Sequence, residues 1–387
     1  MNSKERFLAA LKREKPDRLP VTTHHVMPSF LAKYFGGKDK DAFFSYFGLD
    51  PITWEMAYTF DPRKKEYYDP LHTELGFLEA RRISSDEWRF DIEYLQGCEY
   101  PTQRFSIITP KGTLSMVLQS DIHSTWVAEY LIKEKKDIDL IAEYATSPLC
   151  DVQAINQRAK AFGNTGLVRG HICCFDGFGQ PGTWQDAACI VGIETLIMNT
   201  FDDPAWVHTL LSVLQRRKST YIKSLTGANY DLLELGGGDA STTVISPAIF
   251  HEYVAPYDTP LIAAAHEAGQ RIVYHTCGGM MPILEDIAAM KPDAMETFTP
   301  PAMGADVDLA DAKRRIGDKV CLIGGFDQFN FFQNCTPEIT KREVRRCFDA
   351  AGKDGGFILS PSDHFFDADI ELIQAYADEA RNCIYKD

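Results

Sequence analysis

Asp231-Leu232-Leu233-Glu234-Leu235, Arg271-Ile272-Val273-Tyr274-His275 and Asp293-Ala294-Met295-Glu296-Thr297-Phe298 are three short apolar runs separated by sequence of helical character. Each run has strand length, and turn or capping residues follow it. Ser246-Pro247 opens the helix after the first run, with Ser as N-cap and Pro at the first helical position. Met281-Pro282-Ile283-Leu284 opens the helix after the second. The alternation of strand and helix extends in both directions. Gly166-Leu167-Val168-Arg169-Gly170-His171-Ile172 reads as an earlier strand, followed by a long helical stretch around 186–226. Val320-Cys321-Leu322-Ile323-Gly324-Gly325 and Gly356-Phe357-Ile358-Leu359-Ser360 read as later strands, with helices from Thr336-Pro337-Glu338 and around 369–382.

Strands alternating with helices at roughly 22–40 residue intervals require parallel strands joined by helical crossovers. Six or more such units favour a (β/α)8 TIM barrel over a doubly wound open sheet. Towards the N-terminus, residues 1–18 read as a short charged helix and Leu19–Val26 as a strand. Residues 27–150 are less regular and read as an elaboration packed on the barrel, which otherwise fills 1–387 as a single unit. Within that elaboration Ser106–Val117 reads as a β-hairpin turning at Pro110-Lys111-Gly112.

The chain has 387 residues, 45% hydrophobic and 25% charged, in the range of ordinary globular proteins. A net charge of −15 argues against nucleic-acid binding, which needs basic patches. No apolar run approaches the ~20 residues needed to span a membrane, and the opening Met1–Leu8 lacks the apolar core of a secretory signal. A cytoplasmic location is expected. The ten cysteines are scattered and are expected as reduced thiols, with Cys173-Cys174 serving as packing.

In a (β/α)8 barrel the active site forms at the C-terminal ends of the strands. Those ends present His24, His25, His171, Glu234, Asp239, His275, Cys277, Glu296, Asp327, Asp363 and His364. His275 and Cys277 are two residues apart, so strand alternation points both the same way, and glycines follow. The pair suits half of a zinc site. It can equally be read as a hydrogen-bonded core histidine beside a small apolar cysteine. Glu234 and Glu296 lie in apolar strands and need partners, and a salt bridge to an arginine is the ordinary expectation for one of them. His24 and His25 alternate, so at most one of the two faces the centre. Asp363 can cap a loop, His364 beside Phe365-Phe366 can be an aromatic lid residue, and Gly236-Gly237-Gly238 can cradle an anion.

With these residues in view, the chain resembles the uroporphyrinogen decarboxylase superfamily, most of all its branch of cobalamin-linked methyltransferases. The carriers are Arg6-Phe7-Leu8-Ala9-Ala10-Leu11, Pro16-Asp17-Arg18-Leu19-Pro20-Val21, Ile245-Ser246-Pro247, Pro256-Tyr257, His275-Thr276-Cys277-Gly278 and Gly324-Gly325-Phe326-Asp327. The resemblance implies a barrel fold and makes His275 and Cys277 zinc ligands. The porphyrinogen decarboxylases proper use an arginine-rich N-terminal segment, whereas this chain has Thr22-Thr23-His24-His25-Val26-Met27-Pro28 there. Thiol-methylating members supply a second cysteine after the last strand, where this chain has Pro361-Ser362-Asp363-His364. Glu296, Asp363 or His364 would then complete the shell, making it harder than one with two thiolates.

The implied activity is a zinc-dependent methyltransferase working between a small methylated substrate and the corrinoid of a partner protein. A methoxylated aromatic is the favoured substrate and a methylamine the second. His275, Cys277 and Asp363 are expected at the metal, and Glu234, Asp239, Glu296 and His171 in catalytic roles. No Asp-x-His-x-x-Gly segment for cobalamin is present, so the corrinoid has to come on another chain. The sequence leaves room for a homodimer. Two alternatives remain: a metal-independent decarboxylase acting on a different substrate, and a non-catalytic barrel that binds a ligand or a corrinoid protein.

Overall fold

The computed structural model describes residues 1–71, 80–174 and 176–385. Its centre is a curled, seven-stranded parallel sheet in a half-barrel arrangement. The strands are β1 (Ile52–Trp54), β2 (Leu167–His171), β3 (Leu232–Gly236), β4 (Ile272–His275), β5 (Ala294–Thr297), β6 (Cys321–Phe326) and β7 (Phe357–Pro361), adjacent in that order. β2 to β7 are buried along their whole length, which is why they read as continuous apolar runs rather than alternating ones. Helices join them: Thr183–Val191, Ile193–Asp202 and Pro204–Lys223 before β3, then Ala255–Glu267, Leu284–Ala289, Leu309–Ile316 and Pro337–Cys347 between later strands. Ile370–Asn382 follows β7. Ser246 caps its helix as expected, its side chain accepting from the Ile249 N–H. Asp327 is likewise a cap, accepting from the Asn330 N–H at 2.9 Å.

The N-terminal part differs from expectation. Leu19–Val26 is not a continuous strand. It touches the sheet through a parallel bridge between Val21 and Leu359. Thr22 N–H donates to Leu359 O and Leu359 N–H to Pro20 O, both at 2.9 Å. On the other side Asp50 N–H donates to Val21 O at 2.7 Å, at the approach to β1. Pro20 has no N–H to extend the ladder, and the chain bends at His24. β1 itself comes from within the stretch expected as an elaboration.

The opening is an ionic anchor in physical terms. Arg6 on the helix Ser3–Leu11 donates to Asp17 at 2.7 and 2.9 Å and to buried Asp50 at 2.7 Å, and Arg18 also grips Asp50. Asp50 in turn accepts from the Val21 N–H, so the first helix, the bridge segment and β1 are fixed together. The expected hairpin is present: Thr102–Thr109 pairs antiparallel with Gly112–Ser120, Thr109 opposite Gly112. It is the middle of a four-stranded sheet completed by Arg89–Leu95 and Thr125–Glu129. No helix among the described residues is long and apolar enough to cross a membrane.

Candidate active site

Strand register assembles the site. His171 stands opposite Glu234, and His275 opposite Glu296, at the C-terminal ends of β2 to β5. Arg169, one turn of the pleat below His171, stands opposite Trp54 of β1. It is 3% exposed, and a guanidinium in such a place must be paired. Its Nη2 and Nη1 donate to Glu296 Oε1 and Oε2 at 2.8 and 3.0 Å, a two-pronged grip, and Nη2 reaches Glu234 Oε2 at 3.3 Å. Its Cζ lies 4.3 Å from the centre of the Trp54 ring, a cation–π contact in a dry setting.

The imidazoles surround this ionic floor. His275 Nδ1 is 3.1 Å from Glu296 Oε1 and 4.0 Å from Glu234 Oε1. Glu296 is held as a carboxylate and can only accept, so Nδ1–H donates. His24 stands 3.6 Å from Glu234 Oε2 and 3.6 Å from Glu296 Oε2, and His171 Nε2 stands 3.7 Å from Glu234 Oε2. His171 Nε2 is buried without a hydrogen-bond partner. Both His24 and His25 enter the site, because the segment that carries them is not an alternating strand. His25 stacks on His364 at 4.9 Å and packs against Trp54 at 4.5 Å, and Trp54 meets His171 at 4.5 Å.

Burial and charge separate these groups. Burial pushes Glu234 up to about 7, with the neighbouring Glu296 adding to it against His275 and Arg169. Glu296 feels the same burial, but Arg169 and His24 outweigh it and hold the group well below the ordinary range. Burial opposes a charge on His275, yet Glu234, Cys277 and Glu296 carry its pKa well above that of a free imidazole. Burial lowers His24 to about 4 and takes His25 and His171 well below the ordinary value.

The other expected residues lie around this cluster. Cys277 is half-buried, and its thiol interacts with the His275 ring. A Cβ on Gly238 would lie 2.6 Å from Cys277 Sγ, so glycine lets the loop after β3 pass over the thiol. Asp239 follows in that loop, but its carboxylate accepts from Gln185 Nε2 at 2.7 Å and does not join the cluster. Asp363 pairs with His364 at 2.7 Å. Burial raises its pKa, but His364, with a smaller contribution from His275, brings it down to about 2. Cys321 lies fully buried at the opposite end of β6, away from the cluster.

His24, Glu234, His275 and Glu296 offer ligand atoms that all lie within 4.8 Å of one another, and could hold a metal ion. Of the expected ligands His275, Cys277 and Asp363 this set contains His275 alone, together with Glu296, one of the residues offered to complete the shell. Imidazole, carboxylate and the adjoining thiol together suit a borderline-soft divalent cation such as zinc, so the residues present fit one.

Residues 179–383 match the model of the uroporphyrinogen decarboxylase (URO-D) family. The chain belongs to the uroporphyrinogen decarboxylase family. Within it, the chain is 27% identical over 168 residues to the uroporphyrinogen decarboxylase of Pseudomonas entomophila (strain L48), covering 41% of this chain and 43% of that protein. It is 27% identical over 154 residues to the enzyme of Chlorobaculum tepidum, covering 40% and 41%. The matched part thus spans about two fifths of those relatives. The fold of this URO-D family member is similar to that of a methyltransferase from Methanosarcina mazei, with a TM-score of 0.60, 15% identity and 99% of each chain covered.

Arg169 and Trp54 are the site residues that sequence reasoning missed. The signal for Arg169 was present: a charged side chain inside Leu-Val-Arg-Gly-His, a run otherwise fit for full burial.

Proposed function

We propose that this protein is a cytoplasmic, zinc-dependent methyltransferase that moves a methyl group between a small methylated substrate and the corrinoid of a partner protein. A methoxylated aromatic is the favoured substrate, a methylamine the second. The observation that carries this reading is the commitment of Arg169. Decarboxylation of a polycarboxylated ring calls for free guanidinium groups to meet the carboxylates. Here the guanidinium at the strand ends is gripped by Glu296 and Glu234. Among the described residues of the cluster, imidazoles and the Cys277 thiol remain to meet a ligand, with the Asp363 carboxylate beside them paired to His364. The fold likeness to a protein called a methyltransferase is in keeping with this.

In this reading His275, Cys277 and Asp363 hold the zinc. Bound there, zinc would act as a Lewis acid on the substrate heteroatom, and the partner's corrinoid would supply the cobalt that exchanges the methyl group. The chain's own work is positioning and proton handling. Glu296 orients His275 through Nδ1. Glu234 holds or releases a proton at Oε2, where His171 Nε2 and His24 Nε2 both face it. Trp54, His25 and His364 pack into a wall that excludes water from the ionic floor. Asp239, fixed by Gln185, holds the loop that passes over Cys277.

Elemental analysis of the purified protein and of Cys277→Ala tests the metal. Stoichiometric zinc in the parent and its loss in the variant are expected. A parent protein without zinc that releases carbon dioxide from a carboxylated ring would return the decarboxylase reading.

A further inference from the structure

We infer that Arg169 decides which side chains a metal ion can use. By gripping both carboxylates it reserves Glu296 and Glu234 as supports, and leaves His275 and Cys277 as the metal-binding side. This rests on the metal-dependent reading above, and it chooses between two donor sets that the site offers. One is the buried quartet of His24, Glu234, His275 and Glu296. The other is the His275–Cys277 pair.

The lone pairs of Glu296 are nearly used up. Oε1 accepts from Arg169 Nη2 and from His275 Nδ1, at 2.8 and 3.1 Å, and Oε2 accepts from Arg169 Nη1 at 3.0 Å. A carboxylate offers about four acceptor sites. A dication placed within the quartet would share these oxygens with a guanidinium, and the two cations would repel each other in a low-dielectric interior. Arg169 cannot relieve the conflict by losing its proton. Nor has it anywhere to go: it is 3% exposed and pinned beneath the Trp54 ring.

The imidazole completes the choice. His275 approaches both carboxylates through Nδ1. With Nδ1–H donating to Glu296, Nε2 is the nitrogen left for a metal, which would displace the proton there, the arrangement in which a carboxylate supports a metal-binding histidine from behind. Cys277, half-buried and in contact with the same ring, is the next donor. Arg169 is therefore a positioning residue: it acts on the metal through Glu296 and His275.

Cobalt(II) titrated into the metal-free protein reports the choice by its near-ultraviolet thiolate-to-cobalt band, with calorimetry for affinity. The band should be present in the parent protein, vanish in Cys277→Ser and persist in His24→Ala and Glu234→Gln. In Arg169→Gln the freed carboxylates should draw the cobalt inward: the band weakens and binding becomes sensitive to Glu234→Gln. If Arg169→Gln fails to fold, Arg169→Lys, which keeps the charge but loses the two-pronged grip, takes its place, and a band and affinity unchanged in the Arg169 variant overturn the role given to Arg169. Cobalt bound without the band, or lost in His24→Ala and Glu234→Gln while Cys277→Ser retains it, overturns this inference and leaves the function standing. Failure of cobalt and zinc to bind the parent protein overturns both.

Discussion

Arg169 and Glu296 are joined by two parallel hydrogen bonds of 2.8 and 3.0 Å across the interior of the sheet, from β2 to β5. The pair links strands that are not neighbours and supports the one histidine common to both metal-binding sets. Removing one partner leaves an uncompensated buried charge, which costs about 3–5 kcal/mol. Arg169→Met should therefore lower stability by that order in chemical denaturation. Arg169→Met combined with Glu296→Gln should cost clearly less than the sum of the two single changes. Additive losses would show that the pair is not energetically coupled.

Glu296→Gln keeps the shape of the side chain but changes what supports His275. A neutral amide is a weaker acceptor for Nδ1–H, so the imidazole loses both basicity and orientation. Zinc affinity, measured by competition with a chelator, should fall about 10–100-fold. Unchanged affinity would remove Glu296 from the support of the metal.

The strands were legible because full burial writes continuous apolar runs, and β2 to β7 all follow from such runs. β1 did not show itself, since Ile52-Thr53-Trp54 is three residues long and lies among irregular sequence. The bridge segment was misread for the opposite reason: Leu19–Val26 has strand composition, but Pro20 breaks the ladder and the bend at His24 turns both histidines inward. Glu234, Glu296, His171 and His275 were foreseeable as polar groups at strand ends. Their mutual distances were not, because they come from four strands whose register the sequence does not state. A salt bridge was the expectation for one glutamate; the structure gives Arg169 to both.

Gly324 of β6 stands opposite Thr297 of β5. Its φ is +122°, and an added Cβ would lie 2.0 Å from Thr297 O, next to Glu296. Gly324→Ala must both strain the backbone and push the strands apart, so a loss of more than about 1 kcal/mol is expected in thermal or chemical unfolding. A neutral effect would mean that this close approach is absent in solution.

Acid should weaken the N-terminal anchor. Burial alone would raise the pKa of Asp17, but its hydrogen bonds from Arg6 and neighbouring groups hold it well below the ordinary aspartate value. A carboxyl whose folded pKa is depressed stabilises the fold above its unfolded pKa. That contribution fades as pH falls from about 4 towards the folded value. The melting temperature of the parent should therefore drop more steeply below about pH 4 than that of Asp17→Asn. Parallel curves would contradict a role for this pair in acid sensitivity. Asp17 is 42% exposed, so the difference should be small.

Methyl transfer to free cob(I)alamin tests the account most directly. The zinc-loaded protein is mixed with reduced cobalamin and methoxylated aromatics, then methylamines, and the absorbance is followed. The account predicts conversion to methylcob(III)alamin with at least one donor, dependent on zinc and abolished in Cys277→Ala. No conversion with methoxylated aromatics or methylamines, in a protein shown to carry zinc, would contradict it.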